Sequence, residues 1–209
     1  MKLYTYYRSS SAYRVRIALN HKHIPYEHYA VNLLEREQQG AEYLAHNPQG
    51  LVPALETDDG ELITQSIAII EWLDAIYPDI PLLPSHELQR AKVRALVNII
   101  ACDIQPLNNL RVLNFLKIEL EISDGQKNDW YQHWICTGFS ALESQLSETG
   151  FCYGEAVSMA DVYLIPQVYN ALRFNTDMEA YPNITRIYAA CNELNAFKAA
   201  HPDQQPDKR

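Results

Sequence analysis

The sequence predicts two domains, an α/β unit over residues 1–80 and an all-α unit over residues 86–209, with a linker at 78–85. Three observations predict this. Strand-like alternation and helical spacing interleave as far as Tyr77. Pro78, Pro81 and Pro84 then stiffen a short stretch. Beyond them only the helical period recurs.

Residues 2–7 alternate as a first strand, and residues 11–22 carry Val15, Ala18 and Leu19 on one helical face. Pro25 opens a second alternating run from Tyr26 to Val31. Residues 33–46 are polar with weak periodicity and predict a loose helix or an irregular loop. Asn47-Pro48-Gln49-Gly50 is a turn sequence ahead of a strand at 51–56, and Asp58-Asp59-Gly60 marks a hairpin to a return strand at 61–63. Thr64-Gln65-Ser66 caps a helix bearing Ile67, Ile69, Ile70, Trp72, Leu73 and Ile76, which stops at Tyr77-Pro78. In the second domain, residues 86–120 and 126–148 are periodic, so Gln105 and Arg111 are expected on one long helix. Ser158-Met159-Ala160-Asp161 resembles a capping box and opens a helix that contains Pro166; its roles are read as folding, not chemistry. Helices at 183–192 and 193–200 precede a polar tail, His201 to Arg209, expected to fray.

The net charge of -9 argues against nucleic acid as a partner. No apolar run approaches a membrane span, and the first residues read as a strand rather than a signal peptide. The 4 cysteines, widely spaced with no Cys-x-x-Cys, suggest buried free thiols in a reducing compartment, hence a cytoplasmic protein. The 7 histidines show no His-x-x-x-His pair, and no metal site is expected.

Arg8-Ser9-Ser10-Ser11, between the first strand and the first helix, is the candidate centre. A serine at a helix start caps orphan N–H groups, and further hydroxyls point donors into space that the helix dipole makes attractive to anions. The stretch is therefore either a plain cap or a site for a phosphate, a carboxylate or a thiolate. Arg14 and Arg16 are expected on the solvated or interface face of the helix that follows.

The order of elements, Leu51-Val52-Pro53 at a strand start and Gln65-Ser66 at a helix start resemble the cytosolic glutathione transferases, which join a thioredoxin-like domain to an all-helical one. Within them, the run from Arg8 to Leu19 is similar to the zeta-class signature. So are Asn47-Pro48, the run from Gln65 to Glu71, Ile104-Gln105-Pro106-Leu107-Asn108-Asn109-Leu110, Pro166-Gln167-Val168 with Arg173-Phe174, His201-Pro202 and Gln205-Pro206-Asp207. The similarity runs through essentially the whole chain. One departure is Ser11, where the signature usually has cysteine.

The resemblance implies a homodimeric, glutathione-dependent cis–trans isomerase that converts maleylacetoacetate to fumarylacetoacetate in aromatic amino acid breakdown. Maleylpyruvate is the alternative diacid. A broader transferase or dehalogenase of small halo acids, and a non-catalytic binding module, are the rival readings. Glutathione is the implied cofactor, with Ser9 addressing its sulfur beside Ser10 and Ser11. Gln65 and Ser66 suit its γ-glutamyl carboxylate, Val52 before a cis Pro53 its cysteinyl amide, and Gln38 or Gln39 its glycyl end. Gln105 and Asn109 are further cofactor candidates. Arg8, Arg111, Arg173 and Asn108 are the candidates for gripping a small dicarboxylate, with Arg8 and Arg173 also placed in the catalytic set alongside Ser9 and Ser10.

Elementary acid–base chemistry limits what Ser9 contributes. Lowering a thiol pKa from ~8.5 by ~2 units raises its thiolate at pH 7 about 25-fold and requires about 2.7 kcal/mol of differential interaction. Nucleophilicity falls with basicity and takes back about eightfold, leaving a gain of about threefold. Positioning and stabilisation of the charge developing on the substrate must supply the rest of the rate.

Overall fold

The computed structural model describes residues 1–208, which divide into two compact units: Met1–Pro81 together with the chain from Asn192 onward, and Leu82–Cys191. The first unit is built on a four-stranded sheet in the order β2-β1-β3-β4, formed by β1 (Lys2–Thr5), β2 (Glu27–Ala30), β3 (Ala54–Glu56) and β4 (Leu62–Thr64). β1 and β2 are parallel, with Leu3 opposite His28; β3 is antiparallel to both β1 and β4. A parallel pair needs a crossover, and α1 (Ser10–His21) supplies it. The polar stretch after β2 resolves into a 3-10 turn at Glu37–Gln39 and the short helix α2 (Ala41–His46). β3 starts three residues later than the alternation suggested, because Pro53 has no N–H to give a ladder; the Val52–Pro53 peptide is cis. The helix α3 (Ser66–Ile76) ends at Tyr77, ahead of Pro78.

Two expectations for this unit fail. Arg14 and Arg16 are buried, at 2% and 0% exposure, rather than solvated. Arg16 is tolerated inside because carbonyl and hydroxyl oxygens surround it: Nε donates to Ala200 O at 3.1 Å, Nη1 to Thr5 Oγ1 at 3.0 Å and Tyr6 O at 3.3 Å, and Nη2 to Tyr7 O at 3.0 Å. Nor does the tail fray. After α8 (Pro182–Glu193) and α9 (Asn195–Ala200), which packs on α1, residues 201–208 are tied down: the buried Gln205 donates through Nε2 to Ala199 O and His201 O, both at 2.9 Å. The last residue of the expected tail, Arg209, lies outside the described residues. The expected all-helical domain of 86–209 thus gives up its end to the first unit, because α9 buries Phe197 and Ala200 there.

The second unit is helical. α4 (Glu87–Asn98) runs into a π-helical stretch at Ile99–Ile104, then a turn, then α5 (Leu110–Ile118). Gln105 and Arg111 are therefore not on one helix. Pro106 cannot continue the N–H ladder, and Asn109 restarts it as an N-cap whose Oδ1 accepts from Arg111 N at 3.1 Å. The π-helical stretch packs on α6 (Asp124–Glu143) where Gly138 leaves room: a Cβ there would fall 2.2 Å from Ile104 Cδ1. α7 (Met159–Arg173) is almost wholly buried and continues as helix straight through Pro166. Its start is a closed capping box around Ser158 and Asp161. No described helix is long and apolar enough to cross a membrane. No disulfide forms among the described residues; Cys152 and Cys191 are buried as expected, but Cys102 is exposed on the π-helical stretch.

Candidate active site

The turn from Tyr6 to Ser9 closes through Ser9 N donating to Tyr6 O at 3.0 Å, and the chain then enters α1. Ser9 is the N-cap: its Oγ accepts from Ala12 N at 3.2 Å. An accepting hydroxyl still has its proton to donate, and the Ser9 O–H donates to none of the described residues. The backbone N–H groups of Ser10 and Ser11 likewise have no acceptor among them, and the first turn of α1 holds no acidic side chain. Three donors thus converge at the positive end of a twelve-residue helix.

Arg8 sits at the same turn, half-buried, with its guanidinium 5.2 Å from the Tyr7 ring centre and Nη2 donating to Tyr6 OH at 3.3 Å. Burial pushes the Tyr6 phenol up despite the opposing pull of Arg8, so it stays protonated at neutral pH. Both residues border an open cavity of about 370 Å³, which Asn32, Glu37 and Asp207 also line.

The second helix start, that of α3, is built differently. Gln65 occupies the cap position at φ 71, ψ 120, a conformation costly for a residue with a Cβ. Its side chain caps nothing and donates to Gln49 Oε1 at 2.7 Å. Ser66 is buried, with Oγ accepting from Arg14 Nη1 at 3.5 Å, so a cation stands beneath this helix start. Strain held in place at a solvent-facing helix N-terminus indicates a ligand contact. The Val52 backbone N–H and C=O, just ahead of the cis bond, engage no described residue. Of the two neighbouring glutamines, Gln38 is buried with its Oε1 unpartnered, whereas Gln39 is exposed. Unused N–H groups at α1, an unused peptide at Val52, a strained cap at Gln65 and an orphaned amide oxygen at Gln38 suit an extended, anionic, peptide-like molecule. Glutathione has that chemistry.

The remaining candidates lie in the second unit. Arg111 and Arg173 are exposed, Arg173 with its guanidinium 5.0 Å from the Phe174 ring centre. The Phe174 ring stacks on Tyr131 at 3.6 Å, and burial holds the Tyr131 phenol up at about 12 even with Arg173 nearby. Asn108 is buried and donates to Tyr131 O at 3.0 Å, which fastens the turn before α5 to α6. Gln105 is half-buried at the start of that turn, and Asn109 uses its side chain as a cap. Among the described residues no cluster of histidine, cysteine and carboxylate side chains could hold a metal ion.

Sequence reasoning missed Arg14, Arg16 and Asp207. Asp207 Oδ2 accepts from Tyr7 N at 2.8 Å, and Oδ1 lies 3.1 Å from His28 Nε2. No periodicity marks such residues; the signals pointing to them were the resemblance of the run from Arg8 to Leu19 to the zeta-class signature, for Arg14 and Arg16, and that of Gln205-Pro206-Asp207 to the zeta-class tail.

Comparison with known proteins bears on this geometry. The model of the glutathione S-transferase N-terminal domain matches residues 8–76, and that of the glutathione S-transferase C-terminal domain matches residues 137–190. The chain is 50% identical over 210 residues to a probable maleylacetoacetate isomerase of Vibrio cholerae, covering 98% of this chain and 97% of that one. It superimposes with a TM-score of 0.97 and 44% identity, over 100% of both chains, on the holo form of a bacterial zeta-class maleylpyruvate isomerase. A maleylacetoacetate isomerase from Methylobacterium extorquens, solved with malonate and glutathione bound, matches with a TM-score of 0.95 at 39% identity, again over 100% of both chains.

Proposed function

This chain belongs to the glutathione S-transferase family, in its zeta class, and from that membership and the geometry of the first unit we propose that it is a glutathione-dependent cis–trans isomerase of maleylacetoacetate. The observation that carries the reading is the Ser9 hydroxyl. It caps α1 as an acceptor, keeps its proton to donate, and stands at a helix start whose first turn holds no acidic side chain.

Bound glutathione supplies a thiolate that adds reversibly to the conjugated double bond and is returned unchanged. Ser9 donates to that sulfur, and the Ser10 and Ser11 N–H groups add the pull of the helix terminus. Val52 pairs its backbone with the cysteinyl residue, Gln65 and Ser66 take the γ-glutamyl carboxylate, and Gln38 rather than Gln39 takes the glycyl end. Ser11, in place of the usual cysteine, leaves the donor at Ser9 intact, so the substitution is tolerated. Arg8 meets a substrate carboxylate or the oxygen on which negative charge develops. Arg173 and Arg111 are the proposed further carboxylate contacts, and Gln105, Asn108 and Asn109 lesser ones. The likeness to a maleylpyruvate isomerase supports that diacid as the second substrate. We further place the protein in the cytoplasm as a homodimer, which light scattering of the purified chain tests.

The decisive experiment follows fumarylacetoacetate formation from maleylacetoacetate with and without glutathione, then repeats it with maleylpyruvate. Turnover that depends on glutathione without consuming it is expected. Equal turnover without glutathione, or none with either diacid, rejects the reading. Arg173→Ala is expected to raise the KM for the diacid about tenfold with a smaller change in kcat; an unchanged KM removes Arg173 from the carboxylate contacts.

A further inference from the structure

The turn that presents Ser9 is fixed by groups outside it. Tyr7 N is held by Asp207 Oδ2 at 2.8 Å, while Tyr7 O and Tyr6 O are held by Arg16 at 3.0 and 3.3 Å. Arg16 in turn binds Ala200 O, the last residue of α9, where the segment carrying Asp207 begins. That segment is anchored by Gln205 to Ala199 O and His201 O, and by the His201 ring packed edge-on against Tyr13 at 6.1 Å. The other Asp207 oxygen faces His28 on β2, whose neighbour in the sheet is Leu3 of β1. The two peptide groups ahead of Arg8 are therefore clamped between a buried guanidinium and a carboxylate from the far end of the chain.

We propose that Asp207 is a positioning residue for the Ser9 hydroxyl, fixing the Tyr7 peptide and with it the direction in which Ser9 meets a bound sulfur. This rests on the glutathione reading above. A carboxylate bordering the cavity that Arg8 also lines works against binding a diacid there, so a mere filler at 207 is poorly chosen; a hydrogen-bond acceptor with a set reach is what the geometry uses. Burial alone raises the Asp207 carboxyl, but the His28 contact and the Tyr7 N–H outweigh it and hold it below the usual range, so it is ionised at neutral pH. A charge-assisted acceptor holds an N–H more firmly than a neutral one.

The test uses the full chain carrying Asp207→Ala, Asp207→Asn or Asp207→Glu. Three quantities are read: the pKa of the glutathione thiol in the complex from thiolate absorbance, kcat and KM for isomerisation, and amide exchange of Tyr7 in the ligand-free protein. Asp207→Ala is expected to raise the bound thiol pKa by about one unit. It should lower kcat about tenfold with the KM for glutathione changed less than about threefold, and speed Tyr7 exchange. Asp207→Asn, which keeps an acceptor at the same reach, should restore most of the loss. A folded Asp207→Ala with the wild-type thiol pKa and kcat overturns the proposal, as does a loss of stability alone. If Asp207→Ala does not fold, Asp207→Glu decides: it keeps the charge but overreaches by a methylene, so a wild-type thiol pKa there also overturns it. Absence of any thiolate signal when glutathione is added to the wild-type protein is a different outcome, and rejects the glutathione reading itself.

Discussion

Two of the serine-capped helices, α7 and α1, begin in opposite ways. At α7 the start is closed. Asp161 Oδ2 accepts from Ser158 N and Ser158 Oγ, and Oδ1 from Cys152 N, all at 2.8 Å, with Ser158 and Asp161 at 5% and 0% exposure. At α1 the start is open. No carboxylate stands in the first turn, Ser9 accepts one N–H, and a hydroxyl proton and two backbone N–H groups engage no described residue. One serine cap is finished by its own chain and supports the fold; the other is left for an incoming anion to finish. What distinguishes them is the residue three places on, Asp161 in one and Ala12 in the other.

The largest effect is expected at the closed cap. Asp161→Ala strands buried donors on Cys152 and Ser158, each costing about 1–3 kcal/mol, so the second unit should lose about 3 kcal/mol or more of stability. Chemical denaturation measures this. The pKa of the bound glutathione thiol should not move; a shift there blurs the contrast between a structural and a functional cap.

At the open cap the balance reverses. Ser9→Ala is expected to cost only about 1 kcal/mol of stability. Turnover should fall roughly tenfold to a hundredfold and the bound thiol pKa rise by about one to two units. Ser11→Ala should leave both nearly unchanged. If Ser11→Ala proves the damaging change and Ser9→Ala the mild one, the roles assigned within the turn are reversed.

How much of this was legible depends on how local each determinant is. The Ser9 turn, the sheet strands, α3 and the Asp161 box are set by neighbours a few residues apart, and spacing and capping rules read them directly. The Gln105–Arg111 break was readable in part, since Pro106 stands in it, but a periodic apolar pattern on both sides masked it. Arg16 and Asp207 were not readable. A charged side chain defaults to solvent, and only the converging carbonyls of Tyr6, Tyr7 and Ala200 make burial of Arg16 favourable. Asp207 meets Tyr7 from 200 positions away, so no local window contains both. The choice of Gln38 over Gln39 needed the 3-10 turn itself, which buries one and exposes the other.

A smaller effect separates the carboxylates that serve the two serines' surroundings. Burial raises the Asp161 pKa, against the pull of its backbone partners, whereas the contacts of Asp207 lower its own despite burial. Their linkage to stability then has opposite signs. The folded state holds the Asp161 proton longer than the unfolded chain, so its contribution is greatest below the unfolded carboxyl pKa of ~3.9 and declines as pH rises through the raised value. The contribution of Asp207 is full above ~3.9 and is lost as pH falls through its depressed value. Stability measured from acid to neutral pH for Asp161→Asn and Asp207→Asn, each subtracted from wild type, should give curves of opposite slope. Parallel curves contradict the assignment of one carboxylate to a dry cap and the other to a polar clamp.

The smallest effect concerns a third helix start, at α3, which is neither closed nor merely open but strained. Gln65 holds φ 71 with no cap bond from its side chain, which reaches across to Gln49 instead. A glycine in its place removes the Cβ that makes this conformation costly but adds backbone freedom to the unfolded chain. Gln65→Gly should therefore change stability by no more than about 1 kcal/mol, in the stabilising direction. Glutathione affinity should fall in the same variant, because the side chain and a rigid cap are lost together. Gain of stability with loss of affinity is the mark of strain kept for a ligand. Were Gln65→Gly to lose both, the φ at this position would be serving the fold, and α3 would belong with α7 rather than with α1.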